Sequence, residues 1–241
     1  MRTQSRGIVL HATEYSETSL VVKIYTEEKG LGTFIVGGVR TKKSRYNSTL
    51  FQPLSLVELV ASGKPGQTMQ RITEIHFSPP FSGIPSDMIK STIAIFMAEV
   101  IYRSIREEEP NKALFHFLNS SIQILDLHQG NCSRFHLYFM TQLTRHLGFY
   151  PQGTFHKGRS IFDLREGTFT DRLPSHPDYT GVAESELLAS LLTCSFENYT
   201  GVAIGGAASK SLLSALVTYF ELHQTHGNPI RSHRILEEVM S

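Results

Sequence analysis

The sequence predicts an α+β protein: an N-terminal five-stranded β-barrel over residues 1–80, then a mostly α-helical domain over residues 81–241. Three observations lead there. Apolar residues follow a strand period through the first eighty positions and a helical period afterwards. Three prolines fall within residues 78–85, where the rhythm changes, and proline cannot continue a strand ladder. Charge divides at the same place. Residues 1–80 hold ten Lys/Arg and six Asp/Glu, against 13 and 16 in the remainder. A basic N-terminal part suits a polyanion, and a mildly acidic remainder suits a different kind of partner.

Ile8–Ala12, Leu20–Tyr25 and Gly32–Val36 are rich in β-branched residues and separated by polar or glycine-containing turns. Leu54–Val60 and Met69–Phe77 follow, with the turn Ser62–Gly66 between them. The last run alternates, with Met69, Arg71, Thr73, Ile75 and Phe77 on one face and Gln70, Ile72, Glu74 and His76 on the other. Five short strands with a longer connection after the third suit a closed barrel of the oligonucleotide-binding (OB) type. An open five-stranded sheet or an SH3-like barrel fits the same pattern less well.

Ser86 reads as the N-cap of a helix running to about Arg106, with Ile89, Ile93, Phe96, Met97, Val100 and Ile101 on its apolar stripe. Glu107–Pro110 stops it. Asn111 caps a second helix carrying Leu114, Phe117, Leu118, Ile122 and Leu125. A third runs from about Cys132 to Leu147 and ends at Gly148. Residues 149–180 break the rhythm and read as an insert, in which Ser160–Leu164 and Gly167–Thr170 flank Arg165-Glu166 as a small hairpin. Helical patterns return at about Ser185–Phe196, Ala208–Gln224 and Ser232–Val239.

The most informative stretch for function is Arg40-Thr41-Lys42-Lys43-Ser44-Arg45, four cations within six residues between two strand-like runs. Such a loop lets several side chains neutralise one polyanion together, releasing its counterions; a solvated surface turn has the same composition. Tyr46 stands beside it, placed either to stack on a base or to pack over the barrel mouth. Arg6, Lys23 and Arg71 lie on the strand segments and would extend the same path.

Other chemistries find little support. His223-x-x-His226, with His233 nearby, lacks the further ligands that zinc requires. Gly201–Gly206 is glycine-rich but has no Gly-Lys-Ser/Thr and reads as an inter-helix turn. Cys132 and Cys194 are the only cysteines, which excludes a disulfide scaffold or a Cys₄ site and suits a reducing cytoplasm. No catalytic residues, metal site or cofactor are expected, and no signal peptide or membrane segment is read from the chain. In the helical part, Phe115, Phe117, Phe135, Tyr138 and Phe139 exceed the needs of one stripe. Most belong to the core, and a few, notably Phe117 and Tyr138 flanked by Arg134 or Arg145, are candidates for a partner groove.

Particular residues resemble a known family. Arg6–Leu10, the polar bend His11–Thr18 and Leu20–Thr26 resemble the opening of RecO recombination mediators. So do Glu28-Lys29-Gly30, Gly37-Gly38-Val39-Arg40, the basic loop and Phe51-Gln52-Pro53-Leu54. His146–Pro151 resembles the helix end before that family's insert, and Leu212–Leu222 with Arg231–Val239 resembles its final helices. The resemblance spans essentially the whole chain.

It implies an OB fold, a helical bundle and no enzymatic site. It also implies binding of single- and double-stranded DNA, annealing of complementary strands and a cytoplasmic, nucleoid-associated repair role. The partners implied are RecR, the acidic tail of single-stranded-DNA-binding protein (SSB) and, indirectly, RecA. Arg40, Lys42, Lys43 and Arg45 match the family's cationic OB loop. One departure stands out. Many members carry a four-cysteine zinc ribbon in the insert, and 149–180 has no cysteine, so no structural zinc is expected. An RNA-binding OB protein and an adaptor that meets only proteins are the rival readings.

Overall fold

The computed structural model describes residues 2–41, 44, 46–63, 68–105, 109–202, 205–224 and 228–240. The chain forms two compact units, Met1–Leu127 and His128–Ser241.

In the first unit, strands Arg2–Glu14 (β1), Leu20–Thr26 (β2), Gly30–Val36 (β3), Leu56–Ser62 (β4) and Met69–Phe77 (β5) close into a barrel in the order β1-β2-β3-β5-β4. The ring is closed by β1, whose first half pairs with β4 (Arg2 opposite Ser62) and whose second half pairs with β2 (Glu14 opposite Leu20). β3 and β5 run parallel, with Ile35 opposite Arg71. This closed connectivity is the OB arrangement and removes the open-sheet alternative. Val9, Val22, Ile24, Phe34, Val36, Leu59 and Ile72 fill the interior.

The alternation expected along β5 fails at one point. Register against β4 shifts between Val60, opposite Glu74, and Ala61, opposite Ile72. Thr73 is the extra residue, and its Oγ1 donates to Val60 O at 3.1 Å. This bulge lets Ile72 and Ile75, expected on opposite faces, both reach the core.

Helices Met88–Ser104 (α1) and Lys112–Leu127 (α2) belong to the same unit. Asp87, rather than Ser86, caps α1: its Oδ1 accepts from Lys90 N at 3.0 Å. Ser86 sits in the preceding 3₁₀ turn, its Oγ donating to Ser82 O at 2.6 Å. Ile89, expected on the apolar stripe, is exposed because the stripe that meets the core is carried by Ile93, Phe96, Met97, Val100 and Ile101. Asn111 caps α2 as expected, Oδ1 accepting from Leu114 N at 3.0 Å.

The link from barrel to helices is held by buried Asp126 of α2. Its carboxylate accepts from the backbone N–H groups of Ser82, Gly83 and Ile84 at 3.1, 2.8 and 2.7 Å. Lys90 Nζ reaches Asp126 O at 2.8 Å. Charge-assisted bonds of this kind are roughly twice as strong as neutral ones. A side chain at Gly83 would collide with Asp126 O, so glycine is required by close approach.

The second unit holds Phe135–Leu147 (α3), the hairpin Ile161–Asp163 (β6) and Thr168–Thr170 (β7), then Val182–Thr193 (α4), Gly206–His223 (α5) and His233–Val239 (α6). α3 starts three residues later than expected and ends where expected, at Gly148 with φ 84°. Rings of Phe162, Phe169 and Tyr219 pack the hairpin onto α5.

Polar staples complete the hairpin. Asp163 Oδ1 accepts from Arg165 N and Glu166 N at 2.9 and 3.1 Å. Asp171 takes His156 Nδ1 at 2.9 Å and Ser160 Oγ at 2.8 Å, and these bonds hold its carboxyl below the usual range. Among the described residues no group of histidines, cysteines and carboxylates is placed to hold a metal. His223 donates through Nε2 to Leu164 O at 2.8 Å and stacks on Phe149; His226 lies outside the described residues. No described helix is long and apolar enough to cross a membrane.

Candidate nucleic-acid interface

On β2, β3 and β5 the residues that alternate with the buried set point outward. Lys23 faces Thr33 across the β2–β3 ladder, and Arg71 faces Ile35 across β3–β5. Lys23 and Arg71 therefore share one outer face. Lys23 Nζ donates to Thr33 Oγ1 at 2.6 Å, which holds the ammonium against the sheet.

The β1–β2 loop, the segment after β3 and the start of β5 meet at one end of the barrel. Arg40 joins the first two. Its Nη2 lies 3.0 Å from Glu14 Oε1, its Nη1 donates to Ser16 O at 3.2 Å, and its backbone N donates to Thr18 O at 3.4 Å. Arg71 joins the third: a methyl group at Gly37 would sit 3.3 Å from Arg71 Nη2 and 3.9 Å from Ser19 Oγ. Arg40 thus has a bracing role that spacing alone does not reveal, and part of its charge is matched by Glu14.

Lys42, Lys43 and Arg45 lie outside the described residues. The residues between and beside them form a bonded frame. Thr41 Oγ1 donates to Gly38 O at 3.1 Å, Ser44 N to Thr41 O at 3.0 Å and Ser44 Oγ to Tyr46 O at 2.7 Å. Tyr46 packs against the barrel core, edge-on to Phe51, with its hydroxyl donating to Thr73 O at 2.8 Å beside the β5 bulge.

Arg6 is placed elsewhere. It lies towards the opposite end of the barrel, next to the β2–β3 turn, and makes a two-pronged bond to Glu27 at 2.7 and 2.8 Å. Its guanidinium also covers the Phe115 ring at 5.6 Å. The bond from Arg6 holds Glu27 below the usual carboxylate range and raises Arg6 in turn.

The four residues considered for a partner groove fall in separate units, Phe117 in the first and Arg134, Tyr138 and Arg145 in the second. Tyr138 is buried against Phe196 and Tyr199. Arg145 lies over Tyr150 at 4.6 Å. Arg134 lines a cavity of 380 Å³ between α3, α5 and α6, with Lys210, Leu213, Leu236 and Met240. Its Nη1 donates to Val202 O at 2.7 Å. Lys210 and this cavity carry no sequence signal, because they join three helices distant along the chain.

Comparison with known proteins matches both parts of this architecture. Residues 1–81 match the family "Recombination protein O N terminal" and residues 85–232 match "Recombination protein O C terminal". The chain belongs to the RecO family. The DNA repair protein RecO of Bacteroides fragilis is 36% identical over 240 residues, covering 99% of both chains. That of Phocaeicola vulgatus is 34% identical over 241 residues, covering all of both. As a RecO-family DNA repair protein, the chain carries its barrel where the N-terminal match lies, and the β5 strand ends four residues before that match does.

Proposed function

We propose that this RecO-family protein is a recombination mediator. It binds single- and double-stranded DNA, anneals complementary strands and, with RecR and SSB, helps place RecA on gapped DNA. Residues 1–80 act as the DNA-binding domain, and nucleoid association follows from that binding. The observation that carries the reading is the basic segment beginning at Arg40, tied to the β1–β2 loop beside an outer face bearing Arg71 and Lys23. OB barrels bind oligonucleotides across the face of strands 2 and 3 and with the loop between strands 1 and 2. Here these are the face that carries Lys23 and the loop that Arg40 braces from the β3–β4 connection.

The mechanism is electrostatic. Cations neutralise two like-charged backbones, so complementary strands approach closely enough to pair. No proton transfer or covalent step is needed, and the protein acts without turnover of its own. In the second unit, the cavity is lined by Arg134, Leu213, Leu236 and Lys210, the last in an ion pair with Glu237 at 3.5 Å. The acidic, aromatic tail of SSB docks there, its carboxylate competing with Glu237 for Lys210 while rings meet the two leucines.

Annealing of complementary oligonucleotides across a salt series tests this. Arg40 braces the loop, so the clean variant is Lys42→Ala/Lys43→Ala/Arg45→Ala, with Arg40→Ala compared separately. With four phosphate contacts, single-strand binding should show a log–log salt slope of roughly −3. The triple variant should lose about three quarters of that slope and most annealing while staying folded. Unchanged slope and annealing in the folded variant would move the DNA site off this loop.

A further inference from the structure

We infer that Tyr15 is a stacking platform for an unpaired base of single-stranded DNA. The inference rests on the proposed DNA-binding role of the barrel and adds a residue that does a different job from the cations.

The first observation is exposure. Tyr15 is 62% exposed, and it is the only Phe or Tyr among the described residues that stands open to solvent in this way. Every other Phe and Tyr among the described residues is buried or only partly exposed. Exposing one large ring while the fold covers the rest forgoes the stabilisation that burial gives.

Rigidity is the second. Tyr15 opens a closed turn: its N–H donates to Ser19 O at 3.0 Å, Ser16 N–H reaches the same carbonyl at 3.4 Å, and Ser19 N–H donates to Ser16 Oγ at 3.2 Å. Arg40 then clamps that turn through Ser16 O, Thr18 O and Glu14. The braced turn leaves only the two side-chain torsions of Tyr15 to be ordered on binding.

Position is the third. Ser19 lies beside Gly37 and hence beside the Arg71 guanidinium, and Arg40 begins the basic segment. The ring therefore stands at the barrel end where cations would hold a backbone, so a base turned away from its phosphates meets it. Stacking on an aromatic face tolerates any base, which suits a protein that must grip strands of arbitrary sequence. Paired bases in a duplex offer no free face, so the contact favours single strands.

The chain contains no tryptophan, so Tyr15→Trp introduces a lone indole exactly where the base should stack. Full-length Tyr15→Trp is titrated with oligothymidylate and with inorganic polyphosphate. Affinities of wild type, Tyr15→Phe and Tyr15→Ala for the oligonucleotide and for a duplex are measured in parallel. Quenching by the oligonucleotide but not by polyphosphate is expected. Tyr15→Phe should bind as wild type does, and Tyr15→Ala should bind single strands about 5- to 150-fold more weakly, the range that stacking of one base supplies. Its duplex affinity should hold.

If wild type binds the oligonucleotide while Tyr15→Ala binds equally well, or the indole is unaffected, stacking is overturned and the ring belongs to some other contact. Equal losses on single strands and duplex would overturn it too. If wild type binds no DNA at all, the parent reading falls and takes this one with it.

Discussion

Single residues here do work that their type does not announce. His136 of α3 is buried, and burial pushes its imidazole down to about 3. A depressed value in a base means that the folded state rejects a proton which the unfolded chain accepts below its ordinary value of 6.5. Stability is therefore full above pH 6.5 and falls as pH drops towards 3, by at most about 1.4 kcal/mol per pH unit for this one group. His146, also lowered by burial, adds to the same trend. Denaturant unfolding at pH 7.5, 6.5 and 5.5 should show this decline, and His136→Leu should flatten much of it. A slope as steep in His136→Leu as in wild type would assign the acid sensitivity to other groups. Arg40 teaches a similar lesson: its charge is obvious in the sequence, but its bracing bonds arise only because the β1–β2 loop folds back onto the segment after β3.

At the scale of elements, the cysteine-free hairpin is held by hydrogen bonds and rings. Asp163 is nearly buried, and removing its carboxylate would leave two backbone N–H groups without their acceptor. Asp163→Ala should cost about 1–3 kcal/mol, lowering Tm by several degrees, whereas a metal chelator should leave wild-type Tm unchanged. A chelator-sensitive Tm would show that a metal is present after all.

The elements also show what could be read in advance. Asn111 and Gly148 were legible as caps because capping is local chemistry, set by one side-chain acceptor or one positive φ. The five strands were legible from alternation. The Thr73 bulge was not, since it depends on how β5 registers against β4, a partner whose pairing the local pattern does not encode. Tyr15 carries no sequence signal for a related reason: a lone aromatic in a polar bend has no periodicity, and its significance lies in what folds up beside it.

For the whole molecule, the two compact units suggest separable tasks. Lys42→Ala/Lys43→Ala/Arg45→Ala should weaken oligonucleotide binding while leaving capture of an SSB-tail peptide intact. Arg134→Ala, which removes a cation from the α3–α5–α6 cavity, should do the reverse. Fluorescence anisotropy of labelled oligonucleotide and labelled peptide reads both. Either variant impairing both ligands equally, with folding preserved, would refute this division of labour.

The pairing of β1 has a consequence for the order of events during synthesis. Its second half meets β2, which follows at once, but its first half must wait for β4, with Arg2 finding Ser62. As the chain emerges from the ribosome, β1, β2 and β3 can assemble as a meander while the early half of β1 keeps a bare row of backbone donors and acceptors. That row is a template for pairing with other chains until β4 arrives. The polar and charged residues Arg2, Thr3, Gln4, Ser5 and Arg6 occupy that stretch, a composition that discourages association during the interval before closure.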